Sequence, residues 1–230
     1  MENFEIFNRI KVNVVYVDGG ESEKWKLSEC IYFQANIDEN VYVYNKNKCY
    51  KVRGDCVADV EDKVGSIKIM PPLPNYEIND AREDNYLKRV CDKNSNFKLL
   101  DQKLHYFKGN KIELCDIFDM SNRRFIHVKK GNSSSMLSHL FSQAFVSADM
   151  FSDQAQRMKI LPEIWGDNWA ENKEFKTTDY SVVIAIIKKQ TIGNVKCDGL
   201  PFFSKVNLLS SVEQLERRGY SVYLMFIDVD

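Results

Sequence analysis

Two stretches near the C-terminal end constrain the fold most. Tyr180 to Ile187 reads Y-S-V-V-I-A-I-I, and Tyr220 to Ile227 reads Y-S-V-Y-L-M-F-I. A strand with one wet face alternates apolar and polar residues; a near-continuous apolar run fits a strand covered on both faces. Neither run approaches the ~18 residues that a bilayer span requires. Between them, Leu208 to Arg218 reads as a helix that Gly219 ends.

The elements before these strands are equally legible. Asp80 to Cys91 predicts a helix capped by Asn79 or Asp80, with Tyr86, Leu87, Val90 and Cys91 on one stripe. Phe97 to Phe107 predicts a strand, Lys108-Gly-Asn-Lys111 a tight turn, Ile112 to Phe118 a second strand, and Phe125 to Lys129 a third. Gly131-Asn-Ser-Ser-Ser135 opens a long helix with apolar residues at Leu137, Leu140, Phe141, Ala144, Phe145, Ala148 and Phe151. Those steps of three and four are the strongest periodicity in the chain. Asp153 to Leu161 predicts another helix, stopping at Pro162.

Three of the five prolines fall within Met70 to Pro74, which predicts an extended linker. The expected organisation is a β-rich region over 1–70, a proline-rich linker over 71–78 and an α/β core domain over 79–230. In the first region, Lys11 to Val17 predicts a strand ending at the Asp18-Gly-Gly20 turn. Val41 to Tyr44 and Cys49 to Val52 predict a hairpin around Asn45-Lys-Asn-Lys48, and Asp55 to Val64 a short amphipathic helix.

Composition narrows the functional classes. With 44% hydrophobic and 28% charged residues, the 230-residue chain is an ordinary globular protein. A net charge of −1 provides no global field toward nucleic acid or membrane, so any polyanion contact must come from local clusters. Candidates are Arg123-Arg124, Lys129-Lys130, Lys188-Lys189 and Arg217-Arg218. Six cysteines lie without a C-x-x-C pair and read as reduced thiols, with Cys49, Cys91 and Cys115 expected to face a core. The first residues lack a basic n-region and an apolar h-region, which predicts a cytoplasmic protein without membrane association.

The order helix, three meandering strands, helix, strand resembles the core of the PD-(D/E)XK nuclease-like fold. That resemblance implies a carboxylate on the second core strand, a (D/E)-x-K on the third, and often a Glu on the first helix, around a divalent metal. Here the second strand reads Lys-Ile-Glu113-Leu-Cys-Asp116, the third Phe-Ile-His127-Val-Lys129, and the first helix carries Glu83. A histidine occupies the position expected to be acidic. Alternation puts His127 and Lys129 on one face with Phe125, whereas Glu113 and Asp116 have opposite parity. Pairing centred on Ser121 sets Glu113 across from Lys129, and a slip of one sets Asp116 across from His127.

Phosphodiester cleavage needs a hard cation on carboxylate oxygens and a positive group beside the phosphate. Glu83 with Glu113 or Asp116 are the expected ligands of Mg²⁺ or Mn²⁺, Lys129 the cation, and His127 a general base or softer ligand favouring Mn²⁺. Asp101 and Lys103 on the first strand extend the set. Each has a structural alternative: a Lys129–Glu113 cross-strand pair, a hydrogen-bonded core His127, and a first-turn helix acid at Glu83. Gln143 resembles a glutamine of some nuclease-fold relatives, with a solvated helix face as its alternative. Lys129-Lys130 running into Gly131, Asn132, Ser133 and Ser134 at a helix start suits a backbone phosphate, or plain capping by Ser133 or Ser134.

Three stretches also resemble an uncharacterised, sporadically distributed bacterial family found near mobile elements and phage-defence genes. They are Leu99 to Lys103; Ile112 to Phe118 running on through Ile126 to Lys130 and Ser134 to Gln143; and Leu200 to Lys205. The family's members are usually longer, which would make this chain their C-terminal part. This resemblance implies that His127 is the family's own choice. The leading expectation is therefore a metal-dependent DNA nuclease of antiviral defence, a hydrolase that is alone, oligomeric or partnered. A DNA-binding or sensing module without cleavage, and a pure protein-interaction subunit, are the alternatives.

Overall fold

The computed structural model describes residues 5–14, 23–38, 40–45, 48–131, 133–188 and 200–230. The chain forms two compact units, Met1–Glu61 and Asp62–Asp230. The division falls within a helix, upstream of the prolines.

In the first unit, α1 (Glu5–Arg9) precedes the antiparallel pair β1 (Lys11–Val14) and β2 (Glu23–Lys26), and then the short α2 (Leu27–Cys30). β3 (Phe33–Ile37), β4 (Asn40–Asn45) and β5 (Lys48–Lys51) form an antiparallel sheet. β4 and β5 are the expected hairpin, closed at Asn45↔Lys48. Cys49 departs from expectation: β5 is a sheet edge exposed along its length, so the thiol faces solvent. The Asp18-Gly-Gly20 turn, Asn132, Lys189 and Cys197 lie outside the described residues. α3 (Gly54–Ser66) carries the chain across the division.

The second unit is a mixed α/β layer structure. After α4 (Glu83–Asp92), the strands are β6 (Phe97–Leu99), β7 (Leu104–Phe107), β8 (Asn110–Glu113), β9 (Ile117–Asp119) and β10 (Arg124–Lys130). Next come α5 (Ser134–Ser152), α6 (Gln154–Trp165), β11 (Ser181–Ile187), α7 (Phe202–Arg217) and β12 (Ser221–Ile227). The five-stranded sheet has the order β12-β11-β10-β9-β6. β6, β9 and β10 meander antiparallel, while β10, β11 and β12 run parallel.

The apolar runs have the predicted cause. On one face, Val183, Ala185, Ile187, Met225 and Ile227 pack with Ile126, Val128 and the α4 residues Tyr86, Leu87 and Val90. Val182, Ile184 and Ile186, of opposite parity, are buried as well, and α5 and α7 pack against these strands.

The proline-rich segment is not a free linker. Met70 N–H donates to Leu224 O and Tyr76 N–H to Asp228 O, so the segment lies along the β12 edge. Pro71, Pro72 and Pro74 lack the N–H groups that would extend these isolated bridges into a ladder. Leu73 and Tyr76 are buried, and Tyr86 Oη donates to Pro74 O at 2.8 Å.

Two helices run at least four residues past their predicted bounds. α6 continues through Pro162 to Trp165, because buried Leu161 and Ile164 anchor its last turn despite the missing donor. α7 begins at Phe202 because Ser204 and Lys205, polar in sequence, lie on its buried side.

Candidate metal centre

The predicted first and second strands each break once, and the two breaks create the site. After β6 the chain turns at Gln102 (φ 63°), and after β8 residues Leu114 to Asp116 leave the ladder before β9 begins. The outer halves, β7 and β8, pair only with each other around a Lys108-Gly109 turn with positive φ at both residues. At the junction, Asp116 O accepts from the N–H groups of both Leu100 and Asp101. Asp101, Glu113 and Asp116 are thereby gathered from three places in the chain. One oxygen of each lies within 4.8 Å of the others, a partly buried group that could hold a metal ion.

The surroundings of these carboxylates favour a cation. Asp116 is almost fully buried, and burial pushes its carboxyl up to about 8, helped by the nearby charges of Glu113, Glu83 and Asp101. Its Oδ2 accepts from Val128 N–H at 2.6 Å, which favours the charged form without reversing the shift. Burial likewise raises Glu113 and Asp101. Glu113 is held from two sides, by Gln102 N–H and by Gln143 Nε2 at 3.0 Å. Gln143 therefore belongs to the site rather than to a solvated helix face.

Glu83, in the first turn of α4, stands beside the trio and not in it. Its two oxygens accept from Lys129 Nζ at 2.8 Å and from Lys130 N–H at 2.7 Å. Lys129 thus pairs with Glu83, not with Glu113 across the strands. Burial alone would depress the Lys129 ammonium, but Glu83, Asp116 and Asp101 hold it above its ordinary range.

His127 stands apart from the carboxylates. The β9–β10 ladder pairs Phe118 with Phe125 and Ile117 with Ile126, the register that carries Asp116 toward His127 along the backbone. The His127 side chain, however, is buried on the α5 face, where Nε2 meets Ser147 Oγ at 3.2 Å. Ser147 Oγ also reaches Ala144 O at 3.1 Å, and a hydroxyl that donates there accepts from the Nε2–H tautomer of His127. Burial pulls the imidazole down to about 3, and it is neutral at pH 7. The expectation of His127 as a metal ligand is corrected to that of a core histidine, and with it goes the reason for preferring Mn²⁺. Three carboxylates suit either hard cation, Mg²⁺ or Mn²⁺.

The remaining predicted residues separate. Ser133 caps α5, its Oγ accepting from Met136 N–H at 3.4 Å, and Ser134 begins the helix. Lys130 is exposed, with Nζ 3.9 Å from the Tyr76 ring centroid. Lys103 is exposed one residue before β7. Burial raises Cys115 and pushes the Cys91 thiol up to about 11, so both stay protonated and inert. No helix among the described residues is long and apolar enough to cross a membrane. Of the residues singled out in the sequence, Asp101, Glu113 and Asp116 come together and Gln143 bonds to one of them; Ser147, whose role depends on which face His127 takes, was not among them.

A family model, described as Family of unknown function (DUF6119), matches residues 1–228, and the chain belongs to that family. No curated protein and no solved structure matches the chain.

Proposed function

We propose that this member of a family of unknown function is a divalent-metal-dependent nuclease acting on DNA, built on a PD-(D/E)XK nuclease-like core. The observation that carries the reading is the convergence of Asp101, Glu113 and Asp116 within 4.8 Å, next to the Lys129–Glu83 pair. The order α4, three antiparallel strands, α5 and a parallel strand supports it. Resemblance to a family found near phage-defence genes supports invading DNA as the substrate, with protein partners from the same defence system.

In this reading the three carboxylates hold Mg²⁺ or Mn²⁺. A bound cation supplies charge toward the phosphate and lowers the pKa of a water. Lys129, partly exposed beside the trio, offsets developing negative charge on the phosphate. Glu83 orients that ammonium, and Gln143 orients Glu113. Because Asp116 is protonated at neutral pH without a cation, metal binding releases its proton. Affinity for Mn²⁺ should therefore rise up to about tenfold per pH unit until about pH 8, then level.

Calorimetry with Mn²⁺ and Mg²⁺ at several pH values, paired with plasmid cleavage with and without chelator, tests the proposal. Absence of cation binding at pH 8 by a chain that still binds DNA would falsify it. One observation favours a second reading, a DNA-sensing module without cleavage: His127 replaces the expected acid and is buried away from the trio.

A further inference from the structure

We propose that the outward face of the β7–β8 hairpin is a platform for single-stranded DNA, which it leads to the carboxylates. The inference rests on the nuclease reading only for what happens at its inner end. The hairpin register sets Leu104 opposite Glu113 and Tyr106 opposite Lys111. Directly opposed residues of an antiparallel pair share a face, so Leu104, Tyr106, Lys111 and Glu113 form one patch. His105, Phe107 and Ile112 take the other face. There Phe107 is buried, and His105 Nε2 lies 3.8 Å from the Glu163 carboxylate of α6.

The outward patch is chemically distinctive. Tyr106 is 68% exposed and Leu104 56%. Lys111 Nζ lies 5.6 Å from the Tyr106 ring centroid, so an aromatic face and a cation stand side by side. Single exposed apolar residues are ordinary. These belong to a row that ends at Glu113, a member of the metal-capable trio. A polyanion approaching three carboxylates is repelled, and Lys111 together with exposed Lys103 supplies the compensating charge where the strand would enter. Lys108 adds little, being paired with Asp149 at 3.1 Å. An exposed tyrosine beside a lysine is the combination that binds single strands, because every base offers a π-face once it is unstacked. In a duplex those faces are covered.

Fluorescence anisotropy in chelator tests the platform apart from any cleavage. The full chain is titrated with labelled oligothymidine, oligouridine or a blunt DNA duplex. Tyr106→Ala should weaken binding of a single strand on the order of tenfold, while Tyr106→Trp retains it. Lys111→Ala should shallow the dependence of log K on log salt by about 0.7. Tight binding of oligothymidine supports the platform, and tighter binding of oligouridine overturns its assignment to DNA. Unchanged single-strand binding by Tyr106→Ala, or equal affinity of wild type for the duplex, overturns it. If the wild type neither binds Mn²⁺ nor cleaves DNA while Tyr106→Ala loses the oligonucleotide, the nuclease reading falls and the platform stands. Metal-dependent cleavage with no effect of Tyr106→Ala does the opposite: the platform falls and the nuclease reading stands.

Discussion

The carboxylate group around Asp116, just before β9, and the niche around His127, on β10, are neighbours in the fold, and burial acts on both. It raises the carboxyl of Asp116 to about 8 and lowers the imidazole of His127 to about 3, so each is neutral at pH 7. The difference lies in the neighbours. Asp116 is surrounded by Glu113, Glu83 and Asp101, whose charges add to the desolvation, whereas burial is the sole cause of the shift at His127. A cation entering the first region gains from several carboxylates at once. In the second, a hydroxyl already meets the ring, and nothing rewards charge. Burial alone does not favour a cation; buried like charges do.

For this contrast to hold, the α5 side of β10 must be sealed core, and that gives the largest expected effect. Phe141, buried on α5, should cost ~3–5 kcal/mol when replaced by Ala. A change below about 1 kcal/mol in urea denaturation would mean that this side is not packed. His127→Asp sharpens the contrast further. Although it restores the acid of the nuclease pattern, it buries a carboxyl beside a lone hydroxyl and should destabilise by roughly 3 kcal/mol. It should leave cation binding no tighter; improved Mg²⁺ affinity by calorimetry would place His127 in the site after all.

On the other side, Asp116→Asn keeps an acceptor for Val128 N–H while removing the ionisable group. Metal-dependent cleavage should fall roughly 100-fold or more, since even outer-shell partners of a metal cost up to that much. Stability should follow linkage. Asp116 has a raised folded-state pKa, so its contribution is fully present below about 3.8 and is lost as pH rises through about 8. His127 has a depressed one, and its contribution is lost as pH falls from 6.5 toward about 3. Without metal, Asp116→Asn should remove a decline in stability between about pH 3.8 and about pH 8, measured by urea melts. An unchanged slope across that window would mean that Asp116 is not the buried, protonated acid described above.

The smallest effect on stability belongs to Lys129→Ala. Its pair with Glu83 is partly exposed on both sides and should contribute under about 1 kcal/mol. The melting temperature should hardly move while cleavage, or binding if the chain only senses DNA, declines about tenfold. Full function in the variant would remove Lys129 from the site.

By itself the sequence determined the features that local periodicity and burial on both faces control. The apolar runs 180–187 and 220–227 read as covered strands and the steps of three and four from Leu137 to Phe151 as an amphipathic helix, and β11, β12 and α5 stand there. It also contained the carboxylates that converge. Tertiary structure alone decided which way the chemistry faces. Asp101, Glu113 and Asp116 meet because two strands break at one level, and the break depends on a left-handed turn at Gln102 and on a hairpin pairing with itself. Alternation is a rule for unbroken strands, so it could not say that Glu113 and Asp116 would come together while His127 turned to α5. The proline segment was extended, as its ring chemistry dictates, but only packing of Leu73 and Tyr76 made it a strap along β12 rather than a linker. Local propensity is a property of a few consecutive residues, whereas these outcomes are set by contacts between residues far apart in the chain.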